Sequence, residues 1–227
     1  SLPKNFKIMT DNLHKVIERK IVGDANLLIK VEKNNKFFNA GQFFSIGMPD
    51  MPYNREYSVC NSAHDDYIEF FVRYVDDGTL TPKLFNAKIG DNIKVLGPYG
   101  EFYLKDFDAT KKYLFIGTGT GIAPFLSIIK THNPKNYSIM HGIRELKDQI
   151  EEIDKQKYEL YVSREKVLSA PNIFKGRVTN YVQKKIDEID ENYLFFLCGN
   201  SLMVSAMHEL LIKNKINNNQ IFTEIFF

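Results

Sequence analysis

Along the first hundred residues, apolar and polar positions alternate in short runs. Strand-like stretches fall at 15–22, 27–31, 42–46, 57–60, 68–75 and 93–96, rich in the β-branched and aromatic residues that suit a pleated backbone. Pairs of turn formers separate them: Gly23-Asp24, Asn34-Asn35, Pro49-Asp50, Asp65-Asp66, Asp77-Gly78 and Gly90-Asp91. Six short strands without long helices between them predict a small antiparallel β-barrel, interrupted by one short helix at 81–86. After Asp108 the rhythm changes. Compact apolar strands at 113–116, 137–141, 158–162, 193–197 and 221–226 alternate with helical stretches, the pattern of an α/β domain whose parallel sheet is covered on both faces. Leu202, Ala206 and Leu210, with Met203, Met207 and Leu211, recur at four-residue spacing and predict the apolar face of a helix. Asn200 or Ser201 would cap it. Two domains are expected, 1–108 and 109–227, divided in the charged, weakly apolar stretch 105–112.

Composition narrows the class. Hydrophobic residues make up 44% of the 227 and charged residues 26%, which predicts a folded chain rather than a disordered one. No apolar run reaches the roughly 18 to 20 residues of a membrane span, and the N-terminus lacks the succession of a secretory signal; a cytoplasmic monomer without a membrane span is expected. The two cysteines, Cys60 and Cys198, lie far apart, so neither a disulfide framework nor a built-in iron–sulfur domain is predicted. The histidines at 14, 64, 132, 141 and 208 form no zinc-like pair. No metal site is expected. Net charge is +2, with the basic surplus after residue 110, too small for a nucleic-acid groove but suited to a polyanionic nucleotide.

Two segments of the barrel half carry candidate chemistry. In a strand, Arg55 and Tyr57 share one face while Glu56 and Ser58 share the other. A guanidinium offers forked donors to a pyrophosphate, and a phenol supplies a stacking face with a polar tip. An exposed strand edge with an incidental arginine has the same pattern. Asp77-Gly78-Thr79-Leu80-Thr81 leads into the barrel half's helix, where amides and hydroxyls can hold an anion; a turn with a Thr cap is the alternative.

The second half carries its own set. Gly117-Thr118-Gly119-Thr120-Gly121-Ile122-Ala123-Pro124 follows a strand and opens a helix, the context of a phosphate-binding turn. Its third glycine comes one residue too early for the G-x-G-x-x-G dinucleotide fingerprint. Where an NAD-binding sheet places an acid after its second strand, this chain has His141-Gly142-Ile143-Arg144. Ser163-Arg164 ends the third strand, and Gly176-Arg177 precedes the next helix. Arg144, Arg164 and Arg177, with the Ser163 hydroxyl, could converge on a ribose 2′-phosphate, which favours NADP over NAD.

Taken together these motifs resemble the ferredoxin–NADP reductase superfamily, and most the bacterial ferredoxin or flavodoxin reductases, from about residue 15 to the end. R-x-Y-S matches Arg55, Tyr57 and Ser58; G-T-G-x-G-I-A-P matches 117–124; the S-R-E and G-R elements match 163–165 and 176–177. The resemblance implies bound FAD and NADP(H) as substrate, with electrons passed between NADP(H) and ferredoxin or flavodoxin by hydride transfer at flavin N5. It implies that Arg55 holds the FAD pyrophosphate, Tyr57 lies against the flavin and Ser58 hydrogen-bonds near N5. Val59, Cys60 and Asn61 would continue along the cofactor, and Gly78, Thr79, Leu80 and Thr81 would form the second pyrophosphate segment. Gly117, Thr118, Gly119, Thr120 and Gly121 would hold the nucleotide, with Cys198 and Gly199 beside the nicotinamide and Glu224 near N5. Phe226 would cover the flavin, moving aside in turnover, and Phe227 would reach the adenine; phenylalanine here replaces the family's usual tyrosine or tryptophan. A reductase component of an oxygenase, a nucleotide-binding redox sensor with little turnover, and a free-flavin reductase are the alternative readings.

Overall fold

The structure is a computed structural model that describes residues 12–150, 153–165, 170–180, 182, 189–190 and 192–226. It divides into two compact units: Ser1–Leu104 with Leu126–Thr131, and Lys105–Phe125 with His132–Phe227.

The first unit is built from β1 (Leu13–Val22), β2 (Asn26–Glu32), β3 (Phe43–Gly47), β4 (Arg55–Ser58), β5 (Tyr67–Arg73) and β6 (Asn92–Tyr99), with α1 (Thr81–Asn86) between the last two strands. The sheet runs β4-β3-β6-β1-β2-β5 with antiparallel neighbours. Just beyond β4, Val59 bridges Phe70 of β5, which joins the two edges and makes a barrel. The two-residue period explains the filling: Leu27, Ile29 and Val31 on β2 meet Ile68, Phe70 and Val72 on β5, and Phe44, Ile46, Ile93 and Val95 complete the core. Each such side chain, fully buried, contributes roughly 1.5 to 3 kcal/mol relative to exposure.

The second unit holds β7 (Lys112–Thr118), β8 (Tyr137–Ile143), β9 (Tyr158–Val162), β10 (Ile173–Lys175), β11 (Tyr193–Asn200) and β12 (Ile221–Phe226). All neighbours are parallel, in the order β10-β9-β8-β7-β11-β12. α2 (Ala123–His132) follows β7, and α3 (Ser201–Lys213) follows β11. The chain steps outward from β7 to β10, then returns to place β11 on β7's other side. The strand order therefore reverses between β7 and β11, the place where open α/β sheets receive ligands. Both faces of this sheet are covered, as the unbroken apolar runs predict: Leu114, Ile116, Phe195 and Leu197 join one core cluster, while on the other parity Phe115 lies tilted against Phe196 at 5.4 Å and Phe196 stacks on Phe222 at 4.6 Å between ring centroids.

Two expectations need correction. β10, only three residues long, is too short to stand out from its surroundings in the sequence. On α3 the buried residues are Met203, Val204, Met207 and Leu211, whereas Leu202 is 79% exposed and Ala206 is also exposed. The apolar stripe is the row beginning one residue later, because the sheet lies beside that face. Asn200 is the cap: its side chain accepts from the Leu202 amide.

Candidate active site

In the first unit, the β3–β4 register sets Arg55 opposite Ile46 and Tyr57 opposite Phe44, while Glu56 and Ser58 face Ser45 and Phe43. Arg55 is exposed and lies over the Tyr53 ring, 5.7 Å from its centroid. One of its nitrogens donates to the Asn54 carbonyl at 3.1 Å, and among the described residues no carboxylate pairs with it. Tyr57 is half-buried against the barrel core. Burial pushes its hydroxyl up to about 12 despite the opposing charge of Arg55, so the phenol stays neutral and can donate. Ser58 is buried at the strand's end.

The three residues after Ser58 turn inward. Val59, Cys60 and Asn61 are buried; the Cys60 thiol donates to the Glu69 carbonyl. The Asn61 amide group donates to Ser62, Asp65 and Tyr67, and its oxygen accepts from the Glu69 amide. The Asn61 side chain, expected along the cofactor, is thus fully engaged by the turn before β5. At α1, the Thr81 hydroxyl is likewise occupied, accepting from the Val75 amide at 3.0 Å and donating to its carbonyl at 3.3 Å. This corrects the expectation for the Thr81 hydroxyl only; the exposed Thr79 and the backbone amides are what the helix entrance offers. No side chain caps the helix, and among the described residues the amides of Thr79, Leu80 and Thr81 donate to no protein group. Gly78 lies so close to Val75 and the Thr81 hydroxyl that a Cβ would sit 2.9 to 3.0 Å from them.

In the second unit, the glycine-rich turn and the β11 turn interlock at the reversal. Gly117 pairs with Cys198. A Cβ on Gly121 would lie 2.5 Å from the Cys198 carbonyl oxygen, and one on Gly199, at φ +128°, 2.5 Å from the Thr118 hydroxyl. That hydroxyl accepts from the Asn200 amide at 3.1 Å. Gly119 differs. Its φ is +55°, and a Cβ there would meet nothing within 4 Å, so its backbone borders open space where a ligand can approach. Below it, His141 is buried, with Nε2 2.7 Å from the Gly119 carbonyl and Nδ1 2.7 Å from the Tyr158 hydroxyl. Burial lowers the imidazole to about 4. In the sequence His141 stands out only as part of a strand end; the signal for its role is a polar residue inside an apolar strand, since such a group must find partners.

Three adjacent strands deliver the arginines. Arg144 follows β8, Ser163 and Arg164 follow β9, and Gly176-Arg177 follow β10. Backbone bonds tie the ends together: Arg164 N–H to the Arg144 carbonyl at 2.9 Å and Gly176 N–H to the Val162 carbonyl at 2.9 Å. All three arginines are exposed, and among the described residues no carboxylate neutralises them. The Ser163 hydroxyl donates to the Ile143 carbonyl at 3.3 Å, leaving its lone pairs outward. On the other side of the reversal, Cys198 lies opposite Glu224, and Asn200 opposite Phe226. The thiol is 3.8 Å from a Glu224 carboxylate oxygen. Burial, reinforced by that carboxylate, pushes the thiol well up, so it remains protonated and is not a nucleophile. Phe226 is half-buried; Phe227 lies outside the described residues.

Residues 15–103 match the family model described as an oxidoreductase FAD-binding domain, and residues 115–209 that of an oxidoreductase NAD-binding domain. A flavodoxin/ferredoxin–NADP reductase of Buchnera aphidicola is 33% identical over 222 residues, 82% of this chain and 88% of the relative. The chain belongs to the ferredoxin–NADP reductase family. As a member of that family it is an oxidoreductase that binds FAD and a pyridine nucleotide. Within the same range lies the electron transfer component of Pseudomonas putida toluate 1,2-dioxygenase, 26% identical over 207 residues, 85% of this chain and 60% of the relative. A solved ferredoxin NADP+ reductase of Neisseria gonorrhoeae with bound FAD and NADP shares the reductase fold, with a TM-score of 0.82 at 21% identity over 95% of this chain and 98% of that one. Among the described residues no helix is long and apolar enough to cross a membrane.

The residues present fit both groups. Among the described residues, the guanidinium of Arg55 has only the Asn54 carbonyl as partner, and that through one nitrogen, while the amides of Thr79 to Thr81 have none; both leave N–H donors for an FAD pyrophosphate. The exposed arginines and the bare backbone at Gly119 give a phosphorylated nucleotide the same.

Proposed function

We propose that the protein draws reducing equivalents from NADPH and delivers electrons singly to a small carrier protein, ferredoxin or flavodoxin. The observation that carries the choice of NADPH is the set of arginines after three neighbouring strands, which no carboxylate pairs among the described residues, with Arg144 rather than an acid directly after β8. When bound, FAD supplies the chemistry, taking hydride at N5 and giving up its electrons one at a time. Arg55 and the Thr79, Leu80 and Thr81 amides hold its pyrophosphate, Tyr57 lies along the ring system, and the Ser58 hydroxyl orients the N5 edge. Arg144, Arg164 and Arg177 hold the 2′-phosphate of the nucleotide, and the 117–121 turn holds its pyrophosphate. Cys198, kept protonated, positions the nicotinamide with Gly199, and Glu224 fixes the thiol from the neighbouring strand. Phe226 is assigned to cover the flavin.

The test is an anaerobic titration of the FAD-loaded protein with NADPH, followed by addition of ferredoxin or flavodoxin. Bleaching of the flavin and repeated reduction of the carrier are expected. A protein that is reduced once and fails to cycle would be a sensor, which overturns the proposal. The relative at 26% identity from the toluate dioxygenase supports a second reading, in which the acceptor is an oxygenase component; electron delivery to such a component, with both small carriers inert, would select it.

A further inference from the structure

We propose that His141, held by Tyr158, is a positioning residue that aims the Thr120 amide at the nucleotide's pyrophosphate. The inference rests on the nucleotide reading of the 117–121 turn and adds residues to it from beneath. A carbonyl oxygen only accepts, so the 2.7 Å contact with Gly119 requires the proton on His141 Nε2. In a neutral ring Nδ1 is then an acceptor, and the Tyr158 hydroxyl, 2.7 Å away, is its donor. The tautomer is therefore determined by two partners, both in the second unit. Burial lowers the imidazole and raises the phenol, which keeps both groups in the states this arrangement needs.

The consequence reaches the surface through one peptide plane. The Gly119–Thr120 peptide is trans, so its carbonyl and N–H point in opposite directions. With the carbonyl drawn inward to His141, the Thr120 N–H points outward, on the side where Gly119 borders open space. Among the described residues no group accepts from that N–H. The Gly119 carbonyl also opens the short 3₁₀ helix Gly119–Ile122, whose i→i+3 pattern makes the Ile122 amide its second donor; without His141 that single bond is left to hold the peptide, flanked by a residue free to visit both signs of φ, against turning over. An inverted peptide would present a carbonyl oxygen to the phosphates. Because NADPH and NADH share the pyrophosphate, the device acts on both, unlike the arginines of the 2′-phosphate.

Flavin reduction by each nucleotide tests this in the FAD-loaded protein. His141→Leu is expected to raise KM for NADPH and for NADH by the same factor, about tenfold, the usual weight of one hydrogen bond to a charged group, with little change in kcat. His141→Gln, which keeps an amide donor, should recover most of the loss. Tyr158→Phe, which removes the donor to Nδ1, should raise both KM values by about threefold; it serves if His141→Leu does not fold. Nitrogen-15 NMR of the imidazole in the unliganded protein should show the proton on Nε2. An effect confined to kcat, to one nucleotide or to thermal stability would overturn the proposal, as would a proton on Nδ1. If the unmutated protein is reduced by neither nucleotide, the proposed function fails instead, and the NMR result still decides the tautomer.

Discussion

Arg144, Arg164 and Arg177 lie on three different strand ends, and each could be dismissed alone as solvated surface. Their shared location changes the balance, because backbone bonds join the ends of β8, β9 and β10 and no described carboxylate draws the guanidinium groups away. Replacing Arg164 and Arg177 with Gln should raise KM for NADPH by about a hundredfold while leaving that for NADH within about twofold, each charge-assisted contact being worth roughly 1.5 kcal/mol or more. Equal changes for the two nucleotides would remove these residues from the 2′-phosphate. Residue identity made this cluster legible in the sequence. The state of individual side chains was not legible: Asn61 and the Thr81 hydroxyl are spent on the protein's own turns, and nothing in their sequence neighbourhood announces that.

At the scale of elements, the glycine-rich turn was read as one phosphate-binding feature, and the structure divides its labour. Gly121 is needed because the β11 turn fills the space its side chain would take, whereas Gly119 is needed for a backbone angle beside open space. Gly121→Ala should therefore cost about 2 kcal/mol or more in unfolding free energy, since the clash is with backbone that cannot step aside. Gly119→Ala should cost only about 1 to 2 kcal/mol, the price of a left-handed angle for alanine, while weakening nucleotide binding. Urea unfolding and nucleotide titration of both variants would check this, and a Gly121→Ala protein as stable as the parent would refute the packing argument. The strands other than β10, and α1, were legible because period-two alternation, apolar runs and turn residues are local signals. The expected face of α3 was too wide, since apolar residues fall on two neighbouring rows and only the sheet beside it selects Met203, Met207 and Leu211 over Leu202 and Ala206.

For the whole molecule, buried histidines make stability depend on pH in a definite sense. Burial holds the His141 imidazole down to about 4 in the folded protein, against the ordinary 6.5 of a histidine. Above pH 6.5 neither state binds the proton, and the histidine has no effect on stability. Between 6.5 and 4 the unfolded chain takes up the proton first, so stability falls as pH falls, by up to about 3 kcal/mol at full protonation. His14, also buried and lowered, acts in the same direction. Unfolding midpoints in urea at pH 7.5 and 4.5 should show a smaller drop for His141→Gln than for the parent; identical drops would mean that His141 is not held neutral. By itself, the sequence determined the two-part architecture, the order of the strands along the chain, the R-x-Y-S strand, the glycine turn and the arginines, because backbone periodicity and motif chemistry are written in neighbouring residues. Tertiary structure alone decided which glycine faces open space, which tautomer His141 holds and why Cys198 stays protonated. Those depend on Tyr158, Gly119 and Glu224, which stand 17, 22 and 26 positions from their partners and meet them only when separate strands pair.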